Sequence, residues 1–229
     1  MANLCIIPAR GGSKRILRKN IRDFLGKPII SYSITAALNS GLFDEVMVST
    51  DDFEIAEIAR FYGASVPFMR SEDTANDTAT TVEVLKEVEY GYLKNSAIKF
   101  DYICCIYPTA VLLRIADLIK GYRLMIEKKA SSVFPIVSFS YPIWRSIEII
   151  DEQSKLIDSK YLKSRTQDMP VAYHDAGQWY WYNPRDIIDQ SLFTDKTFPI
   201  ILNELEVQDI DNESDWQLAE LKYRIIHEI

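Results

Sequence analysis

The chain lacks the motifs that usually announce a chemistry. It has no GxGxxG dinucleotide loop and no GxxxxGK[ST] phosphate loop. It has no GxSxG elbow and no HExxH, so neither a hydrolase triad nor a zinc site is indicated. Histidine is scarce, at two residues, and the three cysteines, Cys5, Cys104 and Cys105, match no zinc spacing. All three lie in strand-like apolar runs, with the adjacent pair pointing to opposite strand faces. They therefore read as reduced core thiols of a cytoplasmic protein. No apolar run is long enough to span a bilayer, since the longest, Tyr102 to Leu113, contains Pro108 and Thr109. Arg10 interrupts the first apolar run too early for a secretion signal. An excess of positive charge is also missing. The net charge is −7, which argues against a nucleic-acid surface. Internal repeats and low-complexity segments are absent.

What is present is the composition of a soluble globular protein, 48% hydrophobic and 26% charged, and 229 residues suit a single domain over 1–229. Against the acidic balance, IPARGGSKR at Ile7 to Arg15 is a local exception. Gly11 and Gly12 permit positive φ and close approach of backbone to ligand, and successive N–H groups in such a turn form an anion nest. Arg10 offers a planar fork, and Lys14 and Lys19 offer point charges. A basic loop in an acidic protein favours a small polyanion over a polymer. The alternative is an ordinary glycine turn with solvated cations.

Strand-like and helical patterns alternate through the first half. Strands are expected at 3–8, 45–49, 65–68, 101–107 and 132–137. Helices are expected after Pro28 up to Gly41, and over 52–62, 80–94 and 115–128. This alternation predicts an α/β fold with a mostly parallel, Rossmann-like sheet and helices on both faces. Ligands then bind beyond the carboxyl ends of the strands, where the 8–20 loop, Thr50-Asp51 and Pro108-Thr109 fall. The alternation stops near 138. Residues 138–175 read as an excursion containing a hairpin and a short helix, whose apolar surface suits a dimer contact or an internal subdomain. Strands near 178–182 and 200–210 follow. A last helix is expected with Ser214 and Gln217 as its capping box and Trp216, Leu218, Ala219, Leu221 and Ile225 as its apolar side chains.

Four further stretches carry chemistry. In VQDIDNESDW, Asp209 and Asp211 stand at i and i+2, so at a strand end their carboxylates share a face while Ile210 points inward. Without a nearby cation they repel, and Mg²⁺ with substrate phosphates relieves this. A polar strand exit into a helix cap is the alternative. In RSEDTANDTATT, Arg70 suits a phosphate or carboxylate, while Asp77 and Thr78 suit a cap for the helix at 80. YPTAVLLR sets Tyr107 and Thr109 at the crevice, or simply ends a strand at proline. YHDAGQWYWYNP surrounds His174, Asp175 and Gln178 with aromatics, as a sugar-sized pocket or as core.

IPARGGSKRILRKNI, STDD, YPTA and the late DID occur in an order that resembles the CMP-nonulosonic acid synthetases, a cytidylyltransferase family, over nearly the whole chain. YPTA and DAGQWYW are most similar to its pseudaminic acid branch. The resemblance implies the nucleotidyltransferase fold, a homodimer joined through the 138–175 excursion, and conversion of CTP and a nonulosonic acid into CMP-nonulosonate and pyrophosphate, for surface glycan or flagellin glycosylation. It implies nucleotide binding by Ala9, Arg10, Gly11, Gly12, Ser13, Lys19, Asn20, Arg70 and Thr80. Arg10, Lys19 and Asp211 would be catalytic, with Mg²⁺ on Asp209 and Asp211. The sugar acid would meet Tyr107, Thr109, Gln178, Tyr180 and Arg165, the last from this chain or from the other subunit and with Lys160 and Lys163 as rivals. Leu17, Ser71 and Val111 stand where the family has prolines, and leucine at 17 leaves the loop less preorganised. N-acetylneuraminic and legionaminic acids are alternative substrates, and a non-catalytic nucleotide-binding module is the alternative of another class.

Overall fold

The computed structural model describes residues 1–187 and 191–228. In chain order the strands are β1 (Asn3–Pro8), β2 (Asp23–Phe24), β3 (Lys27–Pro28), β4 (Glu45–Ser49), β5 (Tyr102–Ile106), β6 (Ser132–Ser138), β7 (Ile147–Ile150), β8 (Gln153–Leu156), β9 (Tyr173–Asp175), β10 (Trp179–Tyr182) and β11 (Thr197–Ile201). The α-helices are α1 (Ile30–Ser40), α2 (Phe53–Phe61), α3 (Glu72–Ala75), α4 (Thr81–Ser96), α5 (Ile115–Lys128) and α6 (Glu213–His227). Among the described residues no helix is long and apolar enough to cross a membrane.

The main sheet runs β11-β6-β10-β5-β1-β4, with β9 also pairing to β6. β1 pairs in parallel with β4 and β5, and β11 with β6, while β10 runs antiparallel to both β5 and β6. Because β10 is reversed, its N-terminal end, not its C-terminal end, lies at the rim where β1, β4 and β5 finish. Tyr107 N–H donates to the Gln178 carbonyl there at 2.8 Å. The crevice rim is thus built from two chain directions.

Side chains alternate between the sheet faces, as period-two geometry requires. Cys5, Ile7, Val48, Cys104, Ile106, Trp179 and Trp181 pack against α1, α2 and α5. Leu4, Ile6, Met47, Cys105, Tyr180 and Tyr182 pack against α4 through Val82, Leu85, Val88 and Tyr92. Cys104 and Cys105 therefore enter opposite cores, and all three cysteines are buried and free. A third, smaller core sits at the rim. It joins Ile16, Phe24, Ile29, Val111, Leu112, Ile210, Trp216 and Ala219.

Several boundaries differ from the sequence reading. The strand expected at 65–68 is a single bridge, Met47 to Ser65, because Pro67 has no N–H to continue a ladder. Pro28 closes the small β3 strand just before α1, whose C-terminus is capped by Gly41 as expected. The strand expected over 200–210 is β11 followed by a 3-10 turn at Glu204–Glu206. The capping box of α6 is Asn212 with Asp215, not Ser214 with Gln217, and of the expected apolar residues only Trp216 and Ala219 are buried. The excursion is the β7–β8 hairpin between short 3-10 turns, and its two-residue turn places Asp151 and Glu152 at positive φ.

The α5–sheet contact yields a test. A Cβ on Gly121 would lie 2.5 Å from the Trp179 ring and 3.2 Å from Trp181. Alanine in place of glycine inside a helix ordinarily stabilises by about 1 kcal/mol. Here overpacking wins, and Gly121→Ala destabilises by about 1–3 kcal/mol in urea unfolding. A raised midpoint would contradict this packing.

Candidate functional site

The loop after β1 is stapled in place before it meets any ligand. Ala9 is buried and its N–H donates to the Ser49 carbonyl at 2.9 Å. Gly11 N–H donates to Asp51 Oδ1 at 2.9 Å, and the buried Asn20 side chain donates to the Arg10 carbonyl at 2.9 Å. Neither Gly11 nor Gly12 takes a positive φ, contrary to expectation. What requires glycine at 11 is close approach: a Cβ there would fall 2.7 Å from Asp52 Oδ2. Asp52 is the N-cap of α2, accepting from the N–H groups of Glu54 and Ile55. Its hydrogen bond from Arg18 also holds its carboxyl below the usual range.

These loops enclose a cleft of about 410 Å³ at the rim of the sheet, lined among others by Arg10, Arg15, Lys19, Arg70, Asp209 and Asp211. A side chamber of about 280 Å³ adds Ser13 and Lys14. Arg70 is only 9% exposed. It donates Nε to Ser49 Oγ at 3.1 Å and Nη2 to the Ser49 carbonyl at 2.6 Å. Among the described residues it makes no ion pair, and burial pushes its pKa down to about 10. The nearby Asp51 and Glu87 charges offset only part of that burial, so a guanidinium hydrogen-bonded to neutral oxygens gains from an anion that completes the site.

The remaining cations are neutralised locally. Asp77 accepts from Arg10 Nη1 at 2.6 Å and also pairs with Lys14, and those two hydrogen bonds lower its pKa. Arg15 Nη2 lies 2.8 Å from Asp211 Oδ1. Lys19 Nζ donates to the Ile210 carbonyl at 2.7 Å and is 3.9 Å from Asp211, and burial lowers its pKa. Asp209 and Asp211 lie in the loop before α6, not at a strand end. Ile210 between them is fully buried, and both acids line the cleft. The expectation that no cation stands near the pair is corrected, since Arg15 and Lys19 are both there. Asp209 titrates above its ordinary range, through burial first and then the Asp211 charge.

Tyr107 and Thr109 line the cleft. Thr80 is instead the N-cap of α4, its hydroxyl exchanging hydrogen bonds with Glu83 in a capping box. That displaces the expected caps Asp77 and Thr78. The next residue, Thr81, faces the cleft, with Oγ1 3.1 Å from the Tyr107 hydroxyl. Burial raises the Tyr107 pKa to about 12. Gln178 is buried and donates to the Glu206 carbonyl at 2.5 Å, so in this chain it ties two rim loops together. Tyr180 lies under the rim, its ring 5.3 Å from that of Tyr107. Arg165 is exposed on the excursion and paired with Asp168 at 2.8 Å, outside the cleft. Arg15 and Thr81 line the cleft although the sequence reading assigned them no site role, and Asp77, expected only as a helix cap, lines it too. The charge of the RGGSKR stretch was the only signal for Arg15.

A second cavity of about 310 Å³ adjoins the cleft and shares Asp209 with it. Ser138, Ser140, His174, Asp175, Gln208 and Lys222 are among its walls.

A mostly parallel α/β sheet with a polyanion cleft at its carboxyl rim defines a nucleotide-handling protein. The chain belongs to the cytidylyltransferase family, whose model matches residues 4–194. It is 43% identical to the pseudaminic acid cytidylyltransferase of Campylobacter jejuni, over 100% of this chain and 99% of that one. It is 34% identical to the CMP-N,N'-diacetyllegionaminic acid synthase of Legionella pneumophila, over 96% and 95% of the two chains. Among solved structures, a CMP:2-keto-3-deoxy-manno-octonic acid synthetase complexed with CTP has the same fold, with a TM-score of 0.69, 18% identity and full coverage of both chains.

Asp77 occupies the cations that a phosphate chain needs. Asp77→Asn should therefore tighten binding of inorganic tripolyphosphate by about two- to fivefold at low salt, the scale of an exposed ion pair. Isothermal titration beside the wild type reads this directly. Weaker binding would mean that Asp77 orders the loop and does not compete for it.

Proposed function

We propose that this protein transfers the cytidylyl group of CTP to pseudaminic acid, giving CMP-pseudaminic acid and pyrophosphate. The observation that carries the nucleotide half is the buried Arg70, hydrogen-bonded to neutral oxygens only, beside Arg10, Arg15 and Lys19 in an otherwise acidic protein. The sugar half rests on the 43% identity, against 34% for the legionaminic acid relative and 32% for the N-acylneuraminate cytidylyltransferase A of Danio rerio.

In this reading the oxygen of the sugar's anomeric hydroxyl bonds to the α-phosphorus of CTP and releases its proton to solvent, and the bond from that phosphorus to the bridging oxygen breaks. Pyrophosphate carries away the electron pair. Arg10, Lys14 and Lys19 stabilise the negative charge developing there, and the fixed backbone of Ala9 to Ser13 keeps the chain in line. Arg70 and Asn20 place the nucleotide. The sugar acid enters the second cavity, which shares Asp209 with the first.

Mg²⁺ fits the pair Asp209 and Asp211. They are hard oxygen donors lining the cleft, Asp211 being paired here with Arg15, which phosphates would draw away, and two carboxylates leave coordination positions for phosphate and water. Bound there, it would act as a Lewis acid on the α-phosphate.

The excursion suits a homodimer. Ile147, Ile149, Ile157 and Leu162 are all exposed on it, more apolar surface than a short hairpin leaves to water. A second copy would cover these and bring Arg165, or Lys160 or Lys163, toward the other protomer's sugar cavity. Three buried free thiols suit the reducing cytoplasm. At a net charge of −7, and with no helix among the described residues long and apolar enough to cross a membrane, this reading includes no nucleic acid or membrane partner.

The deciding experiment is pyrophosphate release from CTP and Mg²⁺ with pseudaminic, N-acetylneuraminic and legionaminic acids in parallel. Release with pseudaminic acid in preference to the others is the expected result. Preference for another acid would keep the chemistry and change the substrate, and silence with all, while CTP binds, would favour a non-catalytic nucleotide-binding module. Asp211→Ala should lower turnover at least ~100-fold, and near-normal turnover at saturating Mg²⁺ would remove its metal role. Ile149→Asp, at a site 77% exposed in one chain, should leave the fold intact and shift the sedimentation coefficient to that of a monomer. An unchanged dimer would place the contact elsewhere.

A further inference from the structure

The second cavity contains a carboxylate that makes no ion pair among the described residues. Asp175 ends β9 and is exposed toward that space. It is held from behind by two donors: Gly177 N–H reaches Oδ1 at 2.8 Å, and the Tyr180 hydroxyl lies 2.9 Å from Oδ2 and 3.0 Å from Oδ1. Tyr180 is buried, and burial keeps its hydroxyl protonated and therefore donating. Two donors leave part of the acceptor capacity of a carboxylate unused.

No cation in the cavity takes up the rest. Lys222 Nζ donates to the carbonyls of Val207 at 2.6 Å and Glu204 at 3.1 Å. His174 Nδ1 lies 2.9 Å from the backbone oxygen of Asp175, not from its carboxylate, and its ring packs on Phe139 at 4.7 Å. Among the described residues Asp175 makes no ion pair. The turn that carries it is fixed relative to the cleft. Gly177 has φ +63°, and a Cβ there would stand 3.6 Å from Asp209 Cγ. A preoriented acceptor is thus registered against the acid shared by the two cavities.

We propose that Asp175, positioned by Tyr180 and Gly177, is the residue that orients the sugar acid, accepting hydrogen bonds from its N–H or O–H substituents. The inference rests on the proposed function. An acidic sugar brings its own carboxylate, which Asp175 repels. The ligand therefore enters with its carboxylate turned away and its donor groups toward Asp175.

The test is steady-state kinetics of Asp175→Asn and Tyr180→Phe beside the wild type, with unfolding midpoints measured for each. Asparagine retains an oxygen for Gly177 N–H, so the turn survives. Asp175→Asn should raise KM for pseudaminic acid by about 10- to 100-fold, the range for a hydrogen bond to a charged group. KM for CTP should stay within twofold. Tyr180→Phe, which frees Asp175 to rotate, should raise the same constant severalfold and again spare CTP. A purely structural role would lower the unfolding midpoint and leave KM for the sugar acid within twofold, and that result overturns the inference. A wild type inactive with every nonulosonic acid overturns the proposed function and this inference with it. An active wild type with an indifferent Asp175→Asn overturns this inference alone.

Discussion

The site depends on a small apolar core that belongs to none of the sheet faces. Ile16 comes from the basic loop, Val111 and Leu112 from the turn after β5, Ile210 from between the two acids, and Trp216 from α6. Apart from a 3-10 turn at Lys19–Ile21, these segments are irregular at their functional residues, so no ladder of backbone hydrogen bonds fixes the spacing between them. Burial of one side chain from each does so instead. Ile210 has zero exposure, and its inward direction is what turns Asp209 and Asp211 outward. Polar ties reinforce the arrangement. Arg22 forms a two-pronged pair with Glu213 in the first turn of α6 and lies 4.5 Å over the Trp216 ring. Val111, which stands where the family has a proline, is 5% exposed in this core, so packing here does the work of a fixed φ. Leu17, the other such position in this region, is 81% exposed, and nothing in the structure explains the substitution.

Charge at the site follows a second pattern. The exposed cations each hold a nearby carboxylate, Asp77 or Asp211, while the deepest one, Arg70, has only neutral oxygens. Exposed pairs of this kind contribute little and exchange readily for a better anion, whereas a buried cation gains most from one. The cleft is therefore ordered without ligand yet still biased toward taking one up.

Much of the fold was legible because the strands and helices carry strong periods and clear stops. α5 was expected at its observed bounds, and α1 ends at Gly41 in the left-handed conformation. The direction of β10 was not legible, because an antiparallel strand and a parallel one read alike when both faces are buried. At the site, residue type and charge pointed to Arg10, Lys19, Arg70 and the two acids. The facing of Thr80 and Thr81 was not legible. Successive helical residues differ by about 100° in direction, so an error of one residue in a helix start exchanges a cap for a cleft wall. The cations beside Asp211 escaped notice because Arg15 and Lys19 lie nearly two hundred residues away in the chain.

The reversed β10 has a consequence for how the chain is made. It fills the gap between β5 and β6, and its two tryptophans close the larger core, with Trp181 stacked on Phe43 at 5.0 Å and beside Tyr122 at 4.9 Å. During synthesis β5 and β6 emerge first, each with an unpaired edge and an unfilled hydrophobic face. Until residue 182 leaves the ribosome the sheet is two separate pieces, and the contacts that join them are distant in sequence and slow to form. The nascent chain thus carries its greatest aggregation hazard in the interval when 138–175 is being translated, and chaperones that cover open strand edges have their main opportunity there.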